Sequence, residues 1–259
     1  LRATDEGRAM KLSVSGIDFS YRCTPILDDV SFGVEPGELL CILGVNGAGK
    51  STLIKCINRI LAPQRGTVLV DGKAVFDMRQ REVAQHLGYV PQKHPETLLS
   101  VYETVLMGRR PHVQWALRDS DYALVEQILH QLGLHNLAMR PVTHLSGGQL
   151  QKVIIARALA QSPSVLLLDE PISNLDLKNQ MEVMQLIKGI TRTQQLAAVV
   201  TIHDLNMALR FGDKFLFLKD QKVQAITDRA GFTPALIETV YDQPVSLHQC
   251  NGHFVVVPA

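Results

Sequence analysis

The hydrophobic positions of this chain form short continuous runs, separated by stretches with helical spacing. The runs "GELLCILG", "SVLLLDEP", "AAVVTIHD" and "KFLFLKD" have strand length, and a helical segment at 176–194 separates the second from the third. Strands that are buried on both faces have this appearance, and alternation of such strands with helices is typical of a parallel sheet. The pattern therefore predicts an α/β fold.

Other segments predict smaller units around that sheet. Residues 11–34 combine β-favouring stretches with polar turns, which favours antiparallel strands, and "GTVLVDGKAVF" predicts a hairpin that turns at Asp71-Gly72. Helical patterning from about residue 98 to 154 indicates an insert with helices near 101–108, 119–132 and 147–161. The closing stretch "FTPALIETVYDQPVSLHQCNGHFVVVPA" predicts a short helix followed by a hairpin.

The composition favours one self-sufficient globular unit. A chain of 259 residues can bury a core that needs no disulfide or metal to fold. Its net charge of +1 gives no sign of a polyanion-binding surface, so we expect no nucleic-acid partner. The longest apolar runs fall far short of the roughly 20 residues of a membrane span, and no signal-peptide pattern opens the chain.

Two further features concern the cysteines and the start of the chain. The cysteines show no paired spacing, and we interpret all of them as reduced packing residues of a cytosolic protein: Cys23, Cys41, Cys56 and Cys250. Met10 is interpreted as the native start, with residues 1–9 an addition to it.

The segment "GVNGAGKST" fits the phosphate-binding pattern G-x-x-x-x-G-K-[ST], between a predicted strand and a predicted helix. Glycines let backbone N–H groups wrap phosphate oxygens, while Lys50 can reach the β- and γ-phosphates and Ser51 can ligate Mg²⁺. A plain glycine turn before a helix is the alternative. The residues expected to contact nucleotide here are Gly44, Asn46, Gly47, Ala48, Gly49, Lys50, Ser51 and Thr52.

The strand "SVLLLDE" delivers two carboxylates at its C-terminal end, where the ligands of an open α/β sheet gather. Asp169 is expected to hold Mg²⁺, directly or through water, and Glu170 to polarise a water for attack on the γ-phosphate. A strand that simply ends in solvated acids is the alternative.

The pentapeptide "LSGGQ" at 145–149 resembles the signature of ATP-binding cassette (ABC) ATPases, and the other motifs agree with that family in order. In this family the signature closes over the ATP that is held by the phosphate loop of a second cassette. The resemblance therefore implies a homodimer in which Ser146, Gly147, Gly148 and Gln149 contact the partner's nucleotide. Independently of the family, Ser146 at a helix N-terminus forms an anion site, or simply an N-cap with Gln149 in a capping box.

The resemblance carries further residues across. Tyr21 matches the aromatic residue that stacks on adenine, and Gln92 in "YVPQ" matches the glutamine that senses Mg²⁺ and the γ-phosphate. His203 in "VVTIHDLN" matches the switch histidine, and Asp176 in "SNLD" matches the loop that crosses the dimer interface. One departure is Ile172, where the family usually has threonine; because no carboxylate is lost, we expect activity to survive.

The family likeness also implies a fold and a domain layout. We expect a P-loop NTPase (RecA-like) core with an N-terminal antiparallel β subdomain and a helical signature-motif subdomain. The single domain would span 10–259, with residues 10–94 and 155–225 as core, 95–154 as helical subdomain and 226–259 as C-terminal extension. ATP and Mg²⁺ are the implied cofactors, and the implied catalytic set is Glu170, His203, Gln92 and Lys50, with Ser51, Gln92 and Asp169 toward Mg²⁺.

Two further segments carry a less specific resemblance, to one subgroup of the ABC ATPases. "YETVLMGRRPHVQW" and the C-terminal segment are similar to ATPases that energise bacterial uptake of iron-siderophores, haem and cobalamin. That likeness implies a peripheral position at the cytoplasmic face of the bacterial inner membrane, with a permease as partner and, indirectly, a substrate-binding protein. The expected permease contacts are Met107, Arg109, Arg110 and His112, for which a solvated basic turn is the alternative.

Other readings remain open at this point. A soluble ABC ATPase that remodels nucleic-acid or protein complexes would be expected to carry a basic face, paired cassettes or a coiled-coil arm, and none is visible in the sequence. A GTPase or small-molecule kinase would leave "LSGGQ" unexplained. His248, Cys250 and His253 have spacing that could ligate a metal, but scattered side chains on a hairpin are the simpler interpretation.

Overall fold

The computed structural model describes residues 10–93 and 97–259, in which strands and helices alternate along most of the chain. The strands, in chain order, are β1 (Leu12–Tyr21), β2 (Thr24–Val34), β3 (Leu39–Leu43), β4 (Arg65–Val70), β5 (Lys73–Ala74), β6 (Leu87–Val90), β7 (Val165–Asp169), β8 (Ala197–Thr201), β9 (Lys214–Lys219), β10 (Lys222–Thr227), β11 (Val245–Cys250) and β12 (His253–Pro258). The helices are α1 (Lys50–Ile57), α2 (Gln80–His86), α3 (Val101–Leu106), α4 (Asp119–Gln131), α5 (Gly147–Leu159), α6 (Leu177–Thr193), α7 (Leu205–Phe211) and α8 (Pro234–Tyr241).

The central element is a six-stranded sheet with the order β10-β9-β3-β8-β7-β6. The pairs β9/β3, β3/β8, β8/β7 and β7/β6 are parallel, and only the edge strand β10 runs antiparallel to its neighbour. This arrangement confirms the predicted α/β fold. It also brings the carboxyl ends of β3, β7 and β8 to one edge of the sheet, where ligands of such sheets bind.

Both faces of this sheet are covered, and successive residues of its strands enter different cores. On β3, Leu40 and Ile42 pack beneath the N-terminal β subdomain together with α1 and α2, whereas Leu39, Cys41 and Leu43 join the core formed with α3 to α8. Because side chains alternate between the faces of a strand, burial of both faces requires an uninterrupted apolar run. The continuous runs in the sequence follow from this geometry.

The N-terminal β subdomain is a four-stranded antiparallel sheet with the order β2-β1-β4-β5. The predicted hairpin turn joins β4 to β5, and both of its central residues have positive φ, 49° at Asp71 and 76° at Gly72. Positive φ at both positions is the signature of a type I′ turn, which matches the twist of the flanking strands. The prediction for this hairpin is confirmed.

The helical insert consists of α3, α4 and the first part of α5, linked by short 3-10 segments. The three predicted helices are present, although α3 ends at Leu106 and continues as a 3-10 turn at Met107–Arg109. The predicted boundary between residues 94 and 95 lies outside the described residues. The predicted boundary between residues 154 and 155 falls within α5, because this helix runs from the insert into the core. The domain division therefore stays a prediction.

The C-terminal helix α8 and the hairpin of β11 and β12 are present as predicted. The helices α2 and α7 and the strands β6 and β10 were not predicted, because segments of four to seven residues are too short to show a clear period. In the described part of the chain, no helix combines the length and the apolar character needed to span a bilayer.

The cysteines divide into two classes. Cys41 and Cys56 are buried, and burial raises the pKa of each thiol to about 12, so both stay protonated and act as packing residues. The packing interpretation is wrong for Cys23 and Cys250, which are exposed. Both of these lie at hairpin ends, where no core is available to cover them.

A buried ion pair stabilises the insert. The Nε of Arg109 donates to Oδ1 of Asp121 at 2.8 Å, and the two side chains are only 11% and 8% exposed. The same guanidinium donates to the carbonyl of Ala160 at 2.6 Å, which joins the insert to the end of α5. The carboxyl of Asp121 also accepts from the backbone N–H of Arg118. This bond lowers the pKa of Asp121 most, and the hydrogen bond from Arg109 lowers it further.

We expect Arg109→Met to destabilise the protein by about 3 kcal/mol, because removal of one partner leaves the other charge uncompensated in a buried place. Urea unfolding followed by circular dichroism measures this loss. Arg110→Met is the matched control: Arg110 is exposed, and its replacement should change the free energy of unfolding by less than about 0.5 kcal/mol. Equal stability of both variants would contradict a structural role for Arg109.

Candidate active site

The glycine loop joins the end of β3 to the start of α1, in the strand, loop and helix order that was predicted. Gly49 caps α1 in a left-handed conformation with φ of 99°. Gly47 has φ of 82° although a Cβ there would meet nothing within 4 Å, so backbone conformation rather than space requires glycine. The loop and the start of α1 line a cleft of about 190 Å³, whose other walls are Ile26 of β2 and residues after β7 and β8. Its lining residues are Ile26, Asn46, Gly47, Gly49, Lys50, Ser51, Thr52, Glu170 and His203.

Two predicted contact residues of the loop lie outside this lining. Ala48 is buried, and Gly44 lies against the next strand, where an added Cβ would come within 2.2 Å of the carbonyl oxygen of Leu218. Both residues therefore lie on the side of the loop that faces the protein interior. The predicted set is therefore brought together only in part at the cleft itself.

The ammonium of Lys50 is held by the backbone of its own loop. Its Nζ donates to the carbonyl of Gly44 at 2.7 Å and to that of Val45 at 3.0 Å. Burial lowers the pKa of Lys50, while the nearby carboxylates of Glu170 and Asp169 act to raise it. An ammonium has three donors, so beyond these two bonds one remains for an anion in the cleft.

Asp169 ends β7 and is buried among hydroxyl groups. Its Oδ1 accepts from Oγ of Ser51 at 2.7 Å and from Oγ1 of Thr201 at 3.0 Å. A carboxylate and a serine hydroxyl in contact form the all-oxygen donor set that Mg²⁺ prefers. The two predicted magnesium ligands Ser51 and Asp169 are thus adjacent and chemically suited to the ion.

Glu170 is the point on which the other predicted catalytic residues converge. Its Oε2 accepts from Nε2 of Gln92 at 2.6 Å, and its Oε1 lies 2.5 Å from Nε2 of His203. Because a carboxylate only accepts, this nitrogen of His203 carries a proton. Gln92, predicted to face Mg²⁺, is therefore placed here on the neighbouring carboxylate. These contacts come from the ends of β6, β7 and β8.

Thr201 is a residue of this site that the sequence reasoning missed. It is fully buried at the end of β8, directly opposite Asp169 in the parallel pairing of β7 and β8. Its hydroxyl donates to Asp169 and accepts the backbone N–H of Glu170 at 2.8 Å, where Glu170 has φ of 49°. Its position two residues before His203, at the end of an apolar strand, was the available signal.

The signature segment forms the N-terminus of α5. Ser146 is the N-cap: its Oγ accepts from the N–H of Gln149, whose Oε1 accepts from the N–H of Ser146, so the capping box is present. Gly148 packs so closely on α6 that an added Cβ would come within 2.1 Å of Oδ1 of Asn179. This side chain in turn hydrogen-bonds Asp176, the N-cap of α6.

The signature segment opens into its own cleft of about 430 Å³. This cleft is lined by Gly133, Leu134, Leu137, Ser146, Gln149, Lys152, Asp176, Lys178, Asn179 and Glu182. Among the described residues, it has no lining residue in common with the cleft of the glycine loop. The chain thus carries two separate clefts, one at the glycine loop and one at the signature segment.

The remaining predicted residues are placed as follows. Tyr21 ends β1 with its ring exposed and edge-on to Phe19, at 4.8 Å between centroids. Ile172 is buried in the helical core, so an aliphatic side chain replaces the usual threonine as a packing residue. At the C-terminal hairpin, Oγ of Ser246 lies 2.9 Å from Nε2 of His248, and Cys250 pairs with His253 across the strands.

Residues 27–173 match the family of ABC transporters, which covers more than half of the chain. The chain belongs to the ABC transporter family. It is therefore an ATP-binding cassette and an ATPase, and the resemblance drawn from "LSGGQ" is confirmed.

Curated ABC relatives match along nearly the whole chain. An uncharacterized ABC transporter ATP-binding protein of Methanocaldococcus jannaschii is 48% identical, with 96% of this chain and 98% of that protein covered. A cobalamin import ATP-binding protein of Halobacterium salinarum is 38% identical over 96% of this chain, which spans 64% of that protein's length. The iron(3+)-hydroxamate import ATP-binding protein of Bacillus subtilis is 36% identical, with 89% of this chain and 87% of that protein covered.

Solved ABC structures match the fold. An inward-facing structure described as a metal-chelate type ABC transporter is 32% identical, with a TM-score of 0.84 over 97% of this chain and 98% of that one. A dimeric ATP-binding cassette with ADP and phosphate is 30% identical, with a TM-score of 0.74 over 85% of this chain and all of that one. The predicted fold, a P-loop NTPase core of the ABC type, is confirmed.

We expect Thr201→Val to lower ATP turnover by at least about tenfold, because the carboxylate of Asp169 loses a hydrogen-bond donor and the partly buried N–H of Glu170 loses its acceptor. Thr201→Ser keeps the hydroxyl and is the matched control, with turnover within about threefold of the wild type. Steady-state hydrolysis over a range of Mg²⁺ concentrations measures both. A valine variant with normal turnover would show that Asp169 and Glu170 do not need the hydroxyl of Thr201.

Proposed function

We propose that the chain is the ATP-hydrolysing subunit of a transporter that imports a metal chelate, such as an iron-siderophore, haem or cobalamin. The names of the cobalamin and hydroxamate relatives and of the metal-chelate structure support this class. The single observation that carries the ATPase mechanism is that one chain presents a phosphate-loop cleft and a signature cleft with separate linings. Two chains placed head to tail would complete both sites.

At the phosphate-loop cleft, the residues divide the work by their chemistry. The loop N–H groups and Lys50 bind the β- and γ-phosphates, and Ser51 and Asp169 would hold Mg²⁺, which when bound neutralises phosphate charge. Glu170 accepts a proton from the attacking water. Gln92 and His203, which both contact Glu170, orient this carboxylate, and His203 can transfer its Nε2–H bond to the γ-phosphate. The ring of Tyr21 stacks on adenine.

The signature cleft is proposed to bind the γ-phosphate of the partner's ATP. Ser146 and the N–H groups of Gly147 and Gly148 lie at the N-terminus of a 13-residue helix, where the helix dipole favours an anion. Gln149 and Asp176 line the same surface. Loss of the γ-phosphate removes the anion that holds the two chains together, so hydrolysis would open the dimer. A dimeric neighbour with ADP and phosphate supports this assembly.

The permease is proposed to bind a groove of about 750 Å³ beside the helical insert. Its lining residues are Asn58, Arg59, Ile60, Gln80, Val83, Ala84, Leu87, Tyr89, Met107, Arg157 and Gln161. Of the predicted contacts, Met107 lines the groove and is 42% exposed, and Arg110 is exposed. The Arg109 guanidinium is engaged by Asp121 and Ala160, and the His112 ring by the carbonyl of Gln161, so we narrow the proposed contact to Met107 and Arg110.

These contacts would place the chain on the inner face of a cell membrane as a peripheral subunit. A substrate-binding protein would act on the other side of the permease and never touch this chain.

We expect Glu170→Gln to lower ATP hydrolysis by at least about a hundredfold, because an amide cannot accept the proton of the attacking water. ATP binding should persist, and the variant should accumulate as a dimer with Mg²⁺ and ATP in light scattering after gel filtration. Glu126→Gln, on the exposed face of α4, is the control and should hydrolyse ATP normally. Normal turnover in Glu170→Gln would exclude Glu170 as the base.

The permease proposal is tested by copurification from gently solubilised native membranes. A tagged chain should retain a polytopic membrane protein in stoichiometric amount, identified by mass spectrometry. Met107→Glu should lose it, because a carboxylate would be buried in the groove, while the ATPase activity of the isolated chain stays normal. Met139→Glu, which alters an 82% exposed residue outside the groove, should keep it. Recovery with ribosomes or nucleic acid instead would overturn the importer proposal.

A further inference from the structure

The C-terminal extension reaches the start of the glycine loop. Tyr241 is the last residue of α8, and its hydroxyl accepts the backbone N–H of Gly44 at 3.0 Å. Gly44 is the first glycine of "GVNGAGKST" and follows β3 directly. One side chain of the extension therefore contacts the loop that is proposed to bind phosphate.

Gly44 needs such a partner because the sheet ends there. The pairing of β3 with β9 extends to Leu43 opposite Phe217, and at Gly44 the backbone turns, with φ of 150°, tightly against Leu218. Its N–H lies beyond the regular ladder in a partly buried place. A buried N–H without an acceptor is destabilising, so the tyrosine hydroxyl replaces the bond that a strand would have supplied.

Several contacts fix the position of Tyr241. Asp242 ends α8 in a left-handed conformation with φ of 55°, and Nζ of Lys219 donates to the carbonyl of Thr239 and to both carboxylate oxygens of Asp242. The neighbouring residues Ile237 and Val240 are fully buried. Burial raises the pKa of Tyr241 to about 12, so the phenol is neutral and keeps its hydroxyl at physiological pH.

Gly44 connects this tyrosine to the lysine of the loop. Its N–H is held by Tyr241, and its carbonyl accepts from Nζ of Lys50 at 2.7 Å. A rotation of the peptide at one end of Gly44 would displace the acceptor at the other end. The orientation of the Lys50 ammonium thus depends on a hydrogen bond made more than 190 residues away in the chain.

A second contact joins the extension to the same site. The N–H of Val256 in β12 donates to Oδ1 of Asn206 at 2.7 Å, and Asn206 lies in the first turn of α7, three residues after His203. The extension is thus attached on both sides of the cleft, at the glycine loop and beside the predicted switch histidine.

We propose that Tyr241 is a positioning residue for ATP binding, which acts by fixing Gly44 and, through it, Lys50. The C-terminal extension is then part of the nucleotide site rather than an appendage. This inference rests on the proposed role of Lys50 toward phosphate.

The test is Tyr241→Phe, which removes the hydroxyl and leaves the ring. We expect the Kd for Mg-ATP to rise about three- to tenfold, the range of one hydrogen bond, while kcat at saturating ATP stays within about twofold. Isothermal titration calorimetry and steady-state hydrolysis give the two quantities. An unchanged Kd would overturn the proposal.

Val240→Ala is the matched control. It creates a cavity at the fully buried position before Tyr241 in the same helix and lowers the Tm, but it keeps the hydroxyl bond. Its Kd for Mg-ATP should equal that of the wild type. If Val240→Ala raises the Kd as much as Tyr241→Phe, general loosening of the helix explains the effect and Tyr241 has no positioning role. An unchanged Kd for Mg-ATP in Lys50→Ala would instead refute the role of Lys50 toward phosphate.

Discussion

Two adjacent carboxylates at the end of one buried strand constrain the rest of this structure. Asp169 and Glu170 are neighbours in the chain and lie close to the ammonium of Lys50. Each carboxylate therefore needs its own hydrogen-bond donors to fix its orientation. Glu170 has a left-handed backbone, with φ of 49°, and the hydroxyl of Thr201 links the carboxylate of Asp169 to the backbone N–H of Glu170. Ser51 in the first turn of α1, and Gln92 and His203 after neighbouring strands, complete the donors.

This constraint accounts for the order of the sheet. Only a parallel arrangement brings the ends of β3, β6, β7 and β8 to the same edge, and the register places Asp169 directly opposite Thr201. A shift of one residue between β7 and β8 would turn Thr201 toward the other face of the sheet, away from both carboxylates. The hydrophobic runs that fill the two cores are therefore also what aligns the polar groups.

Much of this could be predicted from the sequence, because the decisive signals are local. The apolar runs predicted the strands, the glycine spacing predicted the loop, and Asp71-Gly72 predicted a turn that has the expected dihedral angles. Contacts between distant segments could not be predicted. Nothing in the sequence near Tyr241 indicates a contact with Gly44. Neither the expected permease contact nor a solvated basic turn indicated that Arg109 bonds to the carbonyl of Ala160 and His112 to that of Gln161. Packing across the molecule determines such contacts, and no period in the sequence records it.

The helix α5 connects two clefts of the protein, one at each of its ends. Its first residues form the signature cleft, whereas Arg157 near its other end, together with Gln161, lines the groove beside the insert. Thirteen residues of α-helix span about 20 Å, and a regular helix transmits displacement along its axis with little compression. A small tilt at the signature end would be delivered to the groove as a lateral movement. In the proposed transporter, this helix would therefore link the signature cleft directly to the permease groove, with no chain of intermediate side chains required.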